Sequence, residues 1–467
     1  MTKADIEKYI DDHAEKMHDE LFDFLRMNSQ RGPSEEGKPF GNGPYEALMA
    51  AKKLCEDYGF VTNSYDNAVV SADINPNGEE VLDILVHVDV VPGGEGWTET
   101  KPFEPVDKDG TIYGRGVADD KGGFIAALYA LKAVKELGCI SKRARLLIGT
   151  AEESHMVDLP YYYNKNKAAQ FTFSPDAWFP IINAEKGRTE CFFEADINDE
   201  PLGRSLVTLQ GGGATNQIPP AAFAILKGVS VHDAKAPADI ISKETGANFK
   251  ISGDEDSLRI DCFGKSCHGA KPELGINSIT ALIKLILELD LYPCDGLNKI
   301  KGIYDLFPFG DYYAEHAGLK SEDEITGKTT SSLNIIRYDG KHLVVSVDLR
   351  TSRALDDRDL KAELTDLGNS IGLTFHTDES VKSHFVSPEN KNIGVLKKHY
   401  EEVTGEKCET LSMGGITYTH HVENGVAFGP RFPGYDARNH GPNERLEFDF
   451  IKKAAVIYAL CIEEICR

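Results

Sequence analysis

The chain has 467 residues, with 51 Lys+Arg against 75 Asp+Glu and a formal charge of −24, which argues against a nucleic-acid binder because phosphate contacts need a basic face. At 41% hydrophobic and 27% charged the composition is that of a globular protein, and the length exceeds what one core normally serves, so two domains are expected. No run reaches the roughly 20 apolar residues that span a bilayer, and the opening MTKADIEKYIDDH lacks the apolar stretch of a secretion signal, so a cytoplasmic location without a membrane partner is expected.

From 4 to 26, Ile6, Ile10, Met17, Leu21 and Leu25 fall near helical spacing, and a second amphipathic stretch covers 44–58. Apolar β-branched runs at 69–74, 81–88 and 145–150 predict strands, with a helix over 123–137 between the last two. Such alternation indicates an α/β layer around a central sheet. After about Glu185 the texture changes to polar-alternating strands at 187–197, 257–262 and 342–350. These read as an inserted α+β domain over 186–383. Helices over 392–403 and 449–465 resume the first pattern, so the first domain is discontinuous, 1–185 with 384–467. The nine cysteines form no CxxC pair, which suggests neither a disulfide framework nor a thiolate metal site.

Five short motifs carry residues of metal-ligand type. In DILVHVDVVPGGEGW an apolar strand ends in His87 and Asp89, two apart and therefore on one face, an arrangement that suits a ligand and a group orienting its ring, or equally a solvated strand end. YGRGVADDKGG places Asp119 and Asp120 before a helix, where one can cap free amides and the other can bridge two cations. LLIGTAEES ends a strand in Glu152 and Glu153, which on extended backbone face opposite ways, one toward a cation and one as a base. FTFSPDAWF brings Asp176 to another strand end, and RNHGPNE carries His440 far down the chain. Ligand-type residues after successive strands lie on the edge where open α/β sheets place their sites. Imidazoles with carboxylates and no thiolates fit a two-metal hydrolytic site better than a structural zinc.

These motifs, with the later MGGITY, stand in the order of a known family. Together they resemble the cocatalytic-zinc metallopeptidases that include the carnosinases, aminoacylases, desuccinylases and glutamate carboxypeptidases. The phrases KPFEPVDKDGTIYGRG and SPDAWFPIINAEKG are most similar to the bacterial dipeptidase V group, the Xaa-His dipeptidases. The resemblance implies a zinc-peptidase catalytic domain with a large lid inserted in it. It makes His87 and Asp176 ligands of one zinc, Glu153 and His440 ligands of the other, and Asp119 the bridge, with manganese or cobalt also tolerated. Asp89 then orients His87, Asp120 supports the geometry, and Glu152 is the general acid/base acting on a water between the ions. In the lid, His268 of KSCHGAKPELG matches the histidine that steadies the oxyanion. Asn216 of GGGATNQIPP and Arg350 of SVDLRTSR match the holders of the substrate carbonyl and terminal carboxylate. Gly414, Gly415 and Ile416 match the loop whose backbone contacts the peptide. A cis peptide between the two aspartates is a frequent family feature.

Some features depart from that pattern or invite another. Met413 replaces a glycine and could narrow the pocket or only alter packing, and His155, His420 and His421 stand near the site as hydrogen-bonding bystanders. Gly211 to Gly213 lack the GK[ST] continuation of a phosphate loop and read as a lid turn. The favoured function is a monomeric, broad-specificity dipeptidase that accepts small peptides such as Xaa-His and β-alanyl dipeptides. An N-acyl amino acid deacylase and a noncatalytic metal-bound binding protein are the alternatives. Retention of Glu152 beside Glu153 disfavours the last.

Overall fold

The N-terminal apolar spacing resolves into two helices, Lys3–Asp12 and Ala14–Arg26, in a computed structural model that describes residues 1–138, 140–200 and 202–467. The break falls at His13, whose ring Nδ1–H donates to the Tyr9 carbonyl at 2.8 Å while its amide donates to the Ile10 carbonyl three residues back, so the helical ladder is not continued. Ile6, Ile10, Met17, Leu21 and Leu25 are nevertheless all buried, because both helices press one apolar stripe on the same core. A third helix, Asn42–Asp57, completes the N-terminal cover.

The chain divides into two compact units, Met1–Ala184 with His384–Arg467, and Glu185–Ser383. The first is built on a sheet in which Val61–Tyr65, Val69–Ile74, Arg143–Gly149, Glu80–His87, Phe171–Ser174 and Gly425–Ala427 are successive neighbours. The last four run parallel. Seven of the eight residues of Glu80–His87 are buried, as expected for a parallel strand covered on both faces. Ile84, Val86, Leu146 and Ile148 face the helical core formed with Lys121–Leu137 and Phe448–Cys466. Leu85 and Leu147, one residue out of phase, face a second cluster with Leu159, Tyr162 and Tyr418.

The second unit carries an antiparallel sheet in the order Asn248–Asp254, Ser257–Phe263, Ala221–Lys227, Ser205–Gly211, Thr330–Tyr338, His342–Thr351, Gly187–Asp196 and Thr374–His376. Alternating burial along Ala221–Lys227 shows one face packed. Residues of Val231–Thr245, Ser278–Leu287 and Asp295–Leu306 share that unit's core. Among the described residues no helix is long and apolar enough to cross a membrane, and every described cysteine is free.

Two expectations about local structure are corrected. The third predicted strand ends at Gly149, and Glu152 and Glu153 sit on a single 3-10 turn, Glu152–Ser154, instead of on extended backbone. Asp120 occupies the cap position of Lys121–Leu137, yet its side chain makes no capping bond there.

One buried ion pair clamps the strands that lead to that region. Arg145 grips Asp83 on the adjacent strand through Nε and Nη2 at 2.8 and 2.9 Å, and the Ala169 amide donates to the same carboxylate at 3.0 Å. Both side chains are about fully buried. Removing one partner strands the other charge, so Asp83→Ala should cost about 3–5 kcal/mol in denaturant unfolding. A loss under about 1 kcal/mol would mean that the pair contributes no more than a surface bridge.

Candidate metal centre

Three adjacent parallel strands deliver the first residues of the site. His87 is the last residue of its strand, the Glu152–Ser154 turn follows the neighbouring strand on one side, and Asp176 follows Phe171–Ser174 on the other. Asp119 and Asp120 arrive from the loop ahead of Lys121–Leu137, joined by a cis peptide. His440 comes from a loop near the C-terminus, with a left-handed φ of 59°.

His87 is fully buried, and the Asp89 backbone carbonyl accepts its Nδ1–H at 3.0 Å, with the Asp89 carboxylate 3.3 Å away. That bond assigns the proton to Nδ1 and leaves Nε2 for a metal. Nε2 faces Asp119 Oδ1 at 3.1 Å and Asp176 Oδ2 at 3.8 Å. On the other side, His440 Nε2 lies 3.2 Å from Asp119 Oδ2 and 3.2 Å from Glu153 Oε1. The two oxygens of Asp119 therefore address different histidines, the geometry a bridging carboxylate requires. Two groups of candidate ligand atoms result among the described residues: His87, Glu152 and Asp176, and His87, Asp119 and Glu153. The first contains Glu152, so this carboxyl reaches the space in which a base would act. His155, His420 and His421 belong to neither group.

The electrostatics follow from crowding in a buried space. Burial and then the Asp176 charge push the Glu152 carboxyl well above the usual range. Asp176 is raised by burial and by Asp119, Asp120 by burial and by Asp176, and Glu153 mainly by burial. Asp119 is the exception: burial opposes its charge, but bonds from His440 and His87 hold it well below the usual range. Burial alone would depress His87, yet Asp119 and Asp89 hold the ring well above normal, and the Glu153 charge, with a bond to Asp119, raises the more exposed His440 well above normal. Imidazole and carboxylate donors without a thiolate, including a buried Glu153 Oε1 with no hydrogen-bond partner, fit a divalent cation.

Further buried groups hold these loops through partners far away in the chain. The Glu444 carboxylate accepts the Gly116 and Ala118 amides at 3.0 and 2.9 Å and Arg115 Nη1 at 2.6 Å, so it ties the GRG turn before Asp119 to the His440 loop. Asn439 donates its side-chain amide to Asp119 Oδ2 at 3.0 Å. Lys121, its ammonium pushed down to about 7 by burial, donates to the Phe24 and Met27 carbonyls and ends the Ala14–Arg26 helix against this loop. Asp120 Oδ2 takes the His87 amide at 3.4 Å, so it steadies the strand end instead of capping the helix. Glu444 lies within the RNHGPNE motif, but a pairing partner 329 residues away leaves no mark in sequence spacing.

Met413 is buried with Ala177, Ile182 and Ala427, so it serves packing. Gly414, Gly415 and Ile416 follow it on the half-buried loop that leads to the turn Tyr418–His421. In the second unit, Gly269 donates its amide to Asn216 O at 2.7 Å, and a Cβ there would lie 2.6 Å from Asp348 Oδ2. Asp348 in turn holds Arg350 Nε at 3.0 Å. The structure thus gathers Asn216, His268 and Arg350 within that unit. The exposed His268 accepts the Ala270 amide on Nδ1 at 3.1 Å, which assigns its proton to Nε2.

A family model described as peptidase family M20/M25/M40 matches residues 84–464. YtjP of Bacillus subtilis (strain 168), provisionally named a dipeptidase, is 32% identical over 456 residues, covering 95% of this chain and 96% of its own. Among solved structures, human carnosine dipeptidase 1 superposes with a TM-score of 0.61 at 13% identity, covering 100% of this chain and 99% of that one. The aminoacylhistidine dipeptidase of Vibrio alginolyticus gives 0.53 at 14% identity with 96% of each chain covered. At such identities the two structures speak for the fold. The match over most of the chain, on a buried imidazole–carboxylate cluster at the ends of parallel strands, places this chain in peptidase family M20/M25/M40.

Proposed function

We propose that the chain is a metal-dependent dipeptidase with two divalent ions, zinc foremost, held by His87 and Asp176, by Glu153 and His440, and by Asp119 between them. The observation that carries this reading is Asp119, whose two oxygens stand 3.1 and 3.2 Å from the ring nitrogens of two different histidines. Full-length relatives that carry dipeptidase names support the peptide substrate. When bound, the ions polarise the scissile carbonyl and make the attacking water acidic.

The chain's own groups do the rest. Glu152 takes the proton from the attacking water and delivers it to the departing amine, and its upward-shifted carboxyl suits a group that must both gain and lose a proton. Asp89 keeps the His87 ring turned with Nδ1–H inward. Asn216 is assigned to the substrate carbonyl, and Nε2–H of His268 to the developing oxyanion. Arg350 takes the terminal carboxylate, for which a planar guanidinium is suited, and the Gly414, Gly415 and Ile416 backbone takes the peptide. Free cysteines throughout the described residues support a reducing, cytoplasmic setting.

Hydrolysis of Ala-His, β-Ala-His, Leu-Leu, a tripeptide and N-acetyl and N-succinyl amino acids tests the reading. Free dipeptides should be cleaved, and Glu152→Ala should lower kcat by about 10²–10⁴-fold with the metal retained. Cleavage of the acylated substrates alone would make the chain a deacylase, and cleavage of none with metal bound would leave a binding protein. The chain should run as a monomer in light scattering. Mixing His268→Ala with Glu152→Ala subunits should then restore no activity, whereas rescue would show a histidine shared across an interface.

A further inference from the structure

The backbone that carries Glu152 and Glu153 hangs on two carboxylates. Past the end of the Arg143–Gly149 strand, four consecutive amides turn to side chains: Thr150 and Ala151 donate to Asp158 Oδ2 at 2.6 and 3.0 Å, and Glu152 and Glu153 donate to Asp89 Oδ1 and Oδ2 at 3.3 and 3.2 Å. Asp158 Oδ2 accepts a third donor, the Tyr418 hydroxyl, at 2.5 Å. Both side chains are completely buried. Tyr418 also sets its ring edge-on to His87, with centroids 6.1 Å apart. The pair reaches this spot only because position 149 is glycine, where a Cβ would lie 2.0 Å from Tyr418 Oη and 2.4 Å from Asp158 Oδ2.

We propose that Asp158 and Tyr418 are positioning residues that set the Thr150–Glu153 turn and thereby fix where Glu152 and Glu153 stand relative to His87 and Asp176. The inference rests on the roles assigned above to those two glutamates. Its physical basis is the cost of leaving buried donors unpaired: without Oδ2, two amides and a phenol lose their acceptor, and the turn must move to find others. Asp158 Oδ1 has no hydrogen-bond partner in its buried place. Asparagine has the same shape and can keep an oxygen for all three donors, though as a neutral, weaker acceptor. Tyr418 links this turn to the His87 ring, so one buried contact coordinates two strand ends with a C-terminal loop.

The test compares Asp158→Ala, Asp158→Asn and Tyr418→Phe with a cavity-forming control far from the turn, Leu48→Ala, at a temperature where near-UV dichroism shows each folded. The readouts are kcat and KM for Ala-His, and Zn2+ affinity by competition with a chromophoric chelator. Asp158→Ala should lower kcat and Zn2+ affinity about 10–100-fold with KM nearly unchanged, and Tyr418→Phe should move both in the same direction. Asp158→Asn should lose clearly less kcat and Zn2+ affinity than Asp158→Ala, because it keeps an oxygen acceptor and gives up only its charge. Leu48→Ala should lower Tm alone. Native kcat and Zn2+ affinity in Asp158→Ala would overturn the proposal, as would an Asp158→Asn as impaired as the alanine variant, or a control that loses kcat in step with Tm. If Asp158→Ala does not fold, Tyr418→Phe against Asp158→Asn makes the same comparison. Chelator competition needs no hydrolysis, so a chain that cleaves nothing would refute the dipeptidase reading and leave this one standing or falling on metal affinity.

Discussion

Five carboxyl groups, Asp119, Asp120, Glu152, Glu153 and Asp176, crowd around the buried His87, with the more exposed His440 at the edge, and their mutual repulsion is the constraint on which the site depends. Four of the five are pushed toward the protonated form by burial and by one another. Only Asp119 is held ionised, because two histidines flank it. A protein does not gain stability by collecting buried acids. The arrangement makes sense as a receptor for positive charge, and divalent cations supply the most charge in the least volume.

The scaffold meets this constraint by fixing backbone before side chains. Parallel strands bring three loops to one edge, which is where open α/β sheets place their ligands. Those loops then lack ladder partners, and further buried carboxylates supply them: Asp89 to Glu152 and Glu153, Asp158 to Thr150 and Ala151, Glu444 to Gly116 and Ala118. A charged acceptor binds amides more tightly than a neutral one, so short irregular segments become rigid without regular secondary structure. Glycines at 149 and 123 make the approach possible, since a Cβ at either would fall about on top of a carboxylate oxygen or the Tyr418 hydroxyl.

Much of this was readable in the residues. Runs buried on both faces, such as Glu80–His87, show as mostly apolar stretches, here broken only by Asp83 between the ends, and the ligand motifs stand directly after them. What sequence spacing could not show was contact across long separations and local backbone choice. The helix break at His13 depends on a ring bonding a carbonyl four residues back. The 3-10 turn at Glu152 arises because Asp89, 63 residues earlier, takes its amide. One of the Asp119–Asp120 pair reads as a helix cap, yet the Asp120 oxygen is drawn to the His87 amide at the end of a strand. Glu444, Asp158 and Tyr418 carry no signature in composition or period, although each lies within or beside a motif that does.

The most direct test of the account is calorimetric titration of the metal-free chain with Zn2+, followed by thermal unfolding of the loaded and unloaded forms. Cations that relieve a buried carboxylate cluster should bind with a stoichiometry of two per chain and raise Tm, since they bind the folded state alone. Binding of no metal, or saturation without any rise in Tm, would contradict it.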